Sequence, residues 1–291
     1  MNSIKDDDYF RGQLMILWLF ALIFLIGGMP MPDIHILTDI PYNTAQDAHP
    51  RQVLDLYLPS GENFPMVLYV HGGAWVGGDK NLYTNIGNTL AEAGYGVAII
   101  NYRLSPEFVH PAHTHDGAMA VAWLVEHIGE YGGNPEALFL TGHSAGGHMV
   151  SLLTLDPQYL ETVGVESSII KGVISYSGLY WIDDWIMNWA KNAFSSDEPE
   201  RQAVSPIHLV EDAIGNNDIP PYLMIASEND YPELLVEQAD MSAIFDKFEV
   251  EYEAHIINER DHFGLVNAIG SPNDPTTGII LNWLNDLRED D

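Results

Sequence analysis

The 291 residues carry 42 acidic against 11 basic side chains, a net charge of −31, and 46% of them are hydrophobic. A chain of this length and apolar content buries one substantial α/β core, while its charge repels phosphate backbones and anionic membrane surfaces and so argues against nucleic acid as a partner. The absence of cysteine removes disulfides, thiol nucleophiles and thiolate metal sites, and an acidic surface this poor in lysine also fits a salty habitat, where its self-repulsion is screened.

The chain opens unlike the rest of itself. Leu14 to Ile26 is an unbroken apolar run of 13 residues inside an uncharged stretch from Gly12 to Pro32. That length matches a signal-peptide core, or an anchor that just spans a bilayer through residues 12–32. Residues 1–32 are therefore expected to be a signal peptide or N-terminal membrane anchor, with the protein exported to a periplasmic or extracellular space or held at a membrane. Asp6, Asp7 and Asp8 depart from the basic start usual for export, which leaves a cytoplasmic location as the alternative. Residues 33–291 are expected to form a single domain.

From Val53 onward short β-rich runs alternate with helical patterns. Val53–Leu58 and Met66–Val70 read as strands. The second runs directly into "HGGAW", where Gly72 and Gly73 let the main chain bend until its N–H groups can face a developing oxyanion. A helix is predicted over Leu82–Ala93 and a strand over Val97–Asn101, followed by "NYRLSPE". Arg103 in that segment either pairs with Asp116 beneath the loops or is solvated. "HPAHTHD" contains His110, His113 and His115 beside Asp116; it reads as the approach to a helix over Asp116–Ile128, and no metal site is expected there.

The strand Leu138–Thr141 leads into "GHSAG" at Gly142–Gly146, and a helix follows over Ala145–Leu155. Strand, G-x-S-x-G and helix in that order describe a nucleophile elbow, a strained turn that exposes Ser144 Oγ at the top of a sheet. Side chains at Gly142 and Gly146 would collide with the neighbouring strand and helix. Because a serine hydroxyl alone is a poor nucleophile, the elbow demands a base, an orienting acid and an oxyanion site. Ala145 N–H, at the start of the helix, is one candidate donor to that site.

After the strand Val173–Tyr176, residues 180–205 interrupt the alternation where a short cap over the nucleophile could be inserted. Trp181, Trp185 and Trp189 recur there every four residues, a spacing that places three indoles on one helical face. Such a stripe belongs either to the core or to a substrate pocket. Beyond the strand Tyr222–Ala226, "ENDYPELL" offers Asp230 as the acid, with Glu228 second and Glu233 starting the next helix, Leu234–Phe245. Beyond the strand Tyr252–Ile257, "DHF" places His262 in a polar loop as the base, whereas His255 lies within the strand and looks structural. A last helix is predicted over Gly278–Leu287.

Repeated strand–helix–strand units imply a doubly wound, mostly parallel sheet. Ligands bind such sheets at the carboxyl ends of the strands, and every candidate residue above follows a strand.

Taken together, "HGGAW", "NYRLSPE", "GHSAGGH", "ENDYPELL" and "DHF" resemble the carboxylesterases of the α/β-hydrolase fold, closest to the branch of kynurenine formamidase-like enzymes and bacterial feruloyl or acetyl esterases related to hormone-sensitive lipase. The resemblance runs from about Val53 to Leu287 and implies a catalytic domain over 33–291. It implies Ser144, Asp230 and His262 as the catalytic triad and Gly72, Gly73, Ala74 and Ala145 around the oxyanion. Esterases closest to hormone-sensitive lipase usually carry a third glycine where this chain has Ala74 followed by Trp75, which points to the formamidase and feruloyl-esterase side. Trp75, Trp181 and Trp185 are the candidate pocket residues.

The expected activity is a serine hydrolase that cleaves small-molecule esters, with short acyl or aryl groups, through an acyl-enzyme and without a cofactor or metal. An arylformamidase-type amidohydrolase is the alternative, and a non-catalytic α/β-hydrolase used for binding is a third. The oligomeric state has no signature in the sequence.

Overall fold

A computed structural model describes residues 33–190, 192–216 and 219–289. The expected signal peptide or anchor, residues 1–32, lies outside the described residues. No helix among the described residues is long and apolar enough to cross a membrane.

Eight strands make one sheet: β1 (His35–Pro41), β2 (Val53–Leu58), β3 (Phe64–Val70), β4 (Gly96–Ile100), β5 (Gly133–His143), β6 (Ile170–Tyr176), β7 (Tyr222–Asn229) and β8 (Tyr252–Asp261). Their order across the sheet is β1-β2-β4-β3-β5-β6-β7-β8. Strands β3 to β8 run parallel, and β2 is antiparallel to both β1 and β4. The doubly wound, mostly parallel α/β architecture inferred from the alternation is present. One strand was not anticipated: β1 is mostly exposed along its length, so it lacks the apolar run by which the interior strands announce themselves.

Interior strands are apolar on both faces because helices cover both. Met66, Leu68 and Val70 of β3 point into one core with Ala118 and Val121 of helix α1 (Ala112–His127) and Met149, Val150 and Leu153 of helix α2 (Ala145–Leu155). Val67 and Tyr69, the intervening residues, point into a second core with Leu90 and, from helix α3 (Pro275–Glu289), Ile280, Trp283 and Leu284. The period of two along β3 thus divides the interior into two layers.

Several element boundaries differ from the sequence expectation. The helix expected from Asp116 begins at Ala112, so His113 and His115 lie on its first turns rather than before it. Strands β7 and β8 each extend beyond their apolar runs, to Asn229 and Asp261. The main-chain ladder continues there after the side chains have become polar, and that continuation sets the geometry of the site.

Candidate active site

Ser144 sits between the last residue of β5 and the first of α2, with φ 55° and ψ −118°. That left-handed conformation is strained for a side chain and is held by neighbours on every side. Ser144 N–H donates to Tyr176 O at 2.8 Å, and Ser144 O accepts from His148 N–H at 3.2 Å. A Cβ on Gly142 would lie 2.3 Å from Gly146 C, and one on Gly146 would lie 2.0 Å from Val70 O. The elbow requires glycine at both positions because two main-chain segments touch there.

The loop after β3 passes against this turn. A Cβ on Gly72 would come within 3.1 Å of Ser144 Cβ, and Gly73, at φ 122°, would collide with Gly77 O. Ala74 and Trp75 continue the loop with φ of 50° and 60°. Gly73 and Ala74 line one cavity together with Ser144 and His262.

Asp230 and His262 come from adjacent strands. Asn229 and Asp261 are register partners at the end of the β7–β8 ladder, so the next residue of each strand leaves the sheet at the same level. His262 Nδ1 lies 2.8 Å from Asp230 Oδ1. Since a carboxylate only accepts, the ring carries its proton on Nδ1. His262 is not in a loop, as its polar surroundings in sequence implied, but opens a short helix, α4 (His262–Asn267), whose N-cap Asp261 accepts from Gly264 N–H.

The Asp230 carboxylate is satisfied on all sides. Oδ1 also accepts from Tyr231 N–H at 2.9 Å, and Oδ2 accepts from Ser227 Oγ at 2.9 Å and from Ser177 Oγ. Burial alone would raise this carboxyl, but the bonds from His262, Ser177 and Ser227 bring it down to about 2, so it is ionised at neutral pH. Neither serine was singled out in the sequence. Ser177, one residue beyond β6 at φ 45°, shared the signal that marked the other candidates: a polar residue immediately after an apolar strand.

Glu228, the second choice for the acid, is exposed and accepts from Glu259 N–H at 3.0 Å, joining β7 to β8. His255 pairs with Glu253 at 2.9 Å within its strand. Arg103 grips the buried Asp116 through Nη2 at 2.7 Å and through its own N–H at 2.8 Å. Of the three histidines before Asp116, His110 bonds Tyr159 OH and His115 stands edge-on to the same Tyr159 ring, while His113 bonds Ser105 Oγ.

The cavity over Ser144 measures about 400 Å³, and its walls include Leu179, Trp185, Ile186, Trp189, Tyr231 and Phe263. Trp189 is 54% exposed and Phe263 57%, so the mouth is an aromatic rim. The rings form a chain: Trp189 to Tyr231 at 5.9 Å, Tyr231 to His262 at 5.2 Å, and His262 to Phe263 at 5.1 Å between centroids.

The tryptophan expectations need correction here. Trp75 is fully buried and packs edge-on against His148 and Phe194 at 5.1 and 4.7 Å; the left-handed turn at Ala74–Trp75 directs it into the core. Trp181 precedes helix α5 (Asp184–Ala190), so the three indoles do not share a helical face. Trp181 lines a separate groove beside Asp183 and Glu233, whereas Trp185 lines both that groove and the serine cavity.

The BD-FAE family profile matches residues 54–241. A probable isoprenylcysteine alpha-carbonyl methylesterase, ICMEL1, of Oryza sativa subsp. japonica is 29% identical over 215 residues, 68% of this chain and 50% of that protein. The kynurenine formamidase of Danio rerio is 23% identical over 85% of this chain and 82% of its own. The chain spans about half the length of the first of these relatives. Among solved structures, esterase B of Lactobacillus rhamnosis superposes with a TM-score of 0.75 at 22% identity, covering 97% of this chain and 96% of that one. The likeness establishes the α/β-hydrolase fold.

Proposed function

For a chain that belongs to the BD-FAE family, we propose the activity of a serine carboxylic ester hydrolase, with Ser144 as nucleophile, His262 as general base and Asp230 as the orienting acid. One observation carries the reading: an ionised, fully hydrogen-bonded Asp230 fixes the Nδ1–H tautomer of His262 at 2.8 Å, in the cavity that also holds the strained Ser144. That tautomer presents the bare Nε2 as a proton acceptor.

His262 takes the Ser144 proton as Oγ attacks the ester carbonyl. The tetrahedral oxyanion is received by the main-chain N–H groups of Gly73, Ala74 and Ala145, with Gly72 shaping the loop. The C–O bond then breaks, the alcohol leaves with the proton from His262, and water releases the acyl group by the same two steps. A cavity of about 400 Å³ with aromatic walls suits short acyl or single-ring aryl esters. With a net charge of −31, neutral substrates are favoured over anionic ones.

Turnover of p-nitrophenyl esters from acetate to long chains tests the reading. Ser144→Ala should lose a factor on the order of 10⁴ or more while its thermal melt stays that of the wild type. A folded Ser144→Ala enzyme that retains wild-type turnover would sink the proposal. Likeness to the Danio rerio kynurenine formamidase along 85% of the chain supports a second reading, formamide hydrolysis by the same residues. An N-formyl aryl amine hydrolysed faster than the matching aryl acetate would decide for it.

A further inference from the structure

His143, the residue between the elbow's first glycine and Ser144, has no part in the steps above, yet it packs against both the His262 imidazole and the Gly72 loop. It is fully buried. Its Nε2 lies 3.0 Å from the main-chain oxygen of His262. A carbonyl can only accept, so the neutral ring carries its proton on Nε2 and leaves Nδ1 bare. Among the described residues no donor reaches that Nδ1.

The ring is wedged in place. On one side its centroid is 4.5 Å from that of His262, at an interplanar angle of 41°, and Phe263 stands edge-on at 6.0 Å. On the other side a Cβ on Gly72 would come within 3.0 Å of Nδ1 and 2.7 Å of the His143 carbonyl. The helix start that carries the imidazole and the loop proposed to receive the oxyanion therefore meet at this one side chain.

Burial, with the neighbouring His262 adding to it, pushes the His143 imidazole down to about 3. It stays neutral while the adjacent ring takes up a proton, so it does not oppose the positive charge that His262 must carry. An apolar side chain of the same size would avoid the unpaired Nδ1. What it would lack is the Nε2–H bond.

We propose that His143 is a positioning residue for His262: its Nε2–H holds the His262 main chain, and its ring sets the spacing between that imidazole and the Gly72 loop. The proposal rests on the ester-hydrolase reading for its kinetic consequence but not for its structural one.

The test uses the full chain with His143→Leu and His143→Gln, each checked by thermal melting. Leucine removes the donor and glutamine supplies an amide N–H that can reach the same carbonyl. On p-nitrophenyl acetate, His143→Leu should lower kcat by about 10- to 100-fold, the scale of a small misplacement of a catalytic group. KM should stay within about twofold, because the loss falls on the chemical step. His143→Gln should recover most of kcat. The low-field proton resonance of the His262 Nδ1–H bond should weaken in the leucine variant and return in the glutamine variant. Unchanged kcat and resonance in His143→Leu would overturn the proposal, as would equal impairment of the two variants. Nitrogen-15 spectra of the wild type decide the matter even if the leucine variant does not fold. They should show His143 as the Nε2–H tautomer without titration between about pH 5 and 9, conditions in which an unperturbed imidazole titrates; the other tautomer, or a titration there, overturns it. If the wild type hydrolyses none of the esters, the ester reading falls, and the spectra still decide whether His143 holds His262.

Discussion

Asp230, two residues before helix α6 (Pro232–Phe248), and Glu237, within it, are two nearly buried carboxylates, 9% and 4% exposed, and their surroundings drive them in opposite directions. Each accepts several hydrogen bonds. Asp230 receives the His262 ring, two serine hydroxyls and Tyr231 N–H, and is held down to about 2 against the upward push of burial. Glu237 receives Tyr180 N–H at 2.6 Å, Trp181 N–H at 2.9 Å and Trp185 Nε1–H at 3.2 Å. Burial dominates there, the three donors oppose it, the negative Asp183 adds to it, and the carboxyl is pushed up to about 7. The difference teaches that hydrogen bonds keep a buried acid ionised where a partner able to become a cation is among the donors, and that burial wins where the donors are neutral and a like charge stands nearby.

The contrast has a functional side. Asp230 orients an imidazole, whereas Glu237 ties residues 180–185 to α6 and so sets the position of Trp185 in the wall of the serine cavity. The largest expected effect belongs to the first: Asp230→Asn should lower turnover of an aryl ester by about 10⁴, because the imidazole loses its tautomer and the partner for its positive charge. Steady-state kinetics at neutral pH checks it, and a loss below tenfold would mean that Asp230 is merely structural.

Next in size is a pH effect on stability. Glu237 has a folded value raised from 4.5 to about 7, so its contribution is full while the acid is protonated, below about 4.5, and is lost as pH rises through about 7. The wild type should therefore lose on the order of 3 kcal/mol between pH 4 and 8 from this group. Asp230 acts with the opposite sign, its contribution present above the ordinary carboxylate range and lost as pH falls toward about 2. Thermal melts of Glu237→Gln across that range should lack the Glu237 decline; parallel curves for the two proteins would remove the contrast.

A smaller effect sharpens the functional side. Glu237→Ala releases the Trp185 indole, and the loss of one hydrogen bond of about 1 kcal/mol corresponds to roughly a fivefold higher KM. The increase is expected for a bulky aryl ester and not for p-nitrophenyl acetate, so an equal change for both would assign Glu237 to general stability. The smallest effect is that of Glu228→Gln. This exposed carboxylate holds only Glu259 N–H, and turnover should change by less than about twofold. A larger loss would return Glu228 to consideration as the acid.

What could be read in advance and what could not divides along the distance over which each feature is built. The parallel sheet was legible because continuous apolar runs with helical patterns between them leave little other arrangement. The elbow was legible because strand, glycine, serine and helix are contiguous; the clash that requires Gly142 lies within the turn itself, whereas the one at Gly146 is with Val70 of β3. The edge strand β1 left no signal, since an exposed strand carries no apolar run. Trp75 was read as a pocket residue from its place beside the glycines, yet two successive left-handed residues turn its side chain inward.

The amino-acid order by itself determined that a strained serine would stand at the top of a doubly wound sheet, and that an acid and a histidine would leave later strands at the same edge. Only the tertiary structure decided which acid meets the histidine. Asn229 and Asp261 are ladder partners 32 residues apart, and their register places Asp230 beside His262 while Glu228 stays on the outside of the strand. It also decided that Ser177 closes the carboxylate from 53 residues away and that Glu237 holds Trp185 across 52. Such contacts depend on strand register and helix packing, which average over many side chains and leave no local pattern at the residues they bring together.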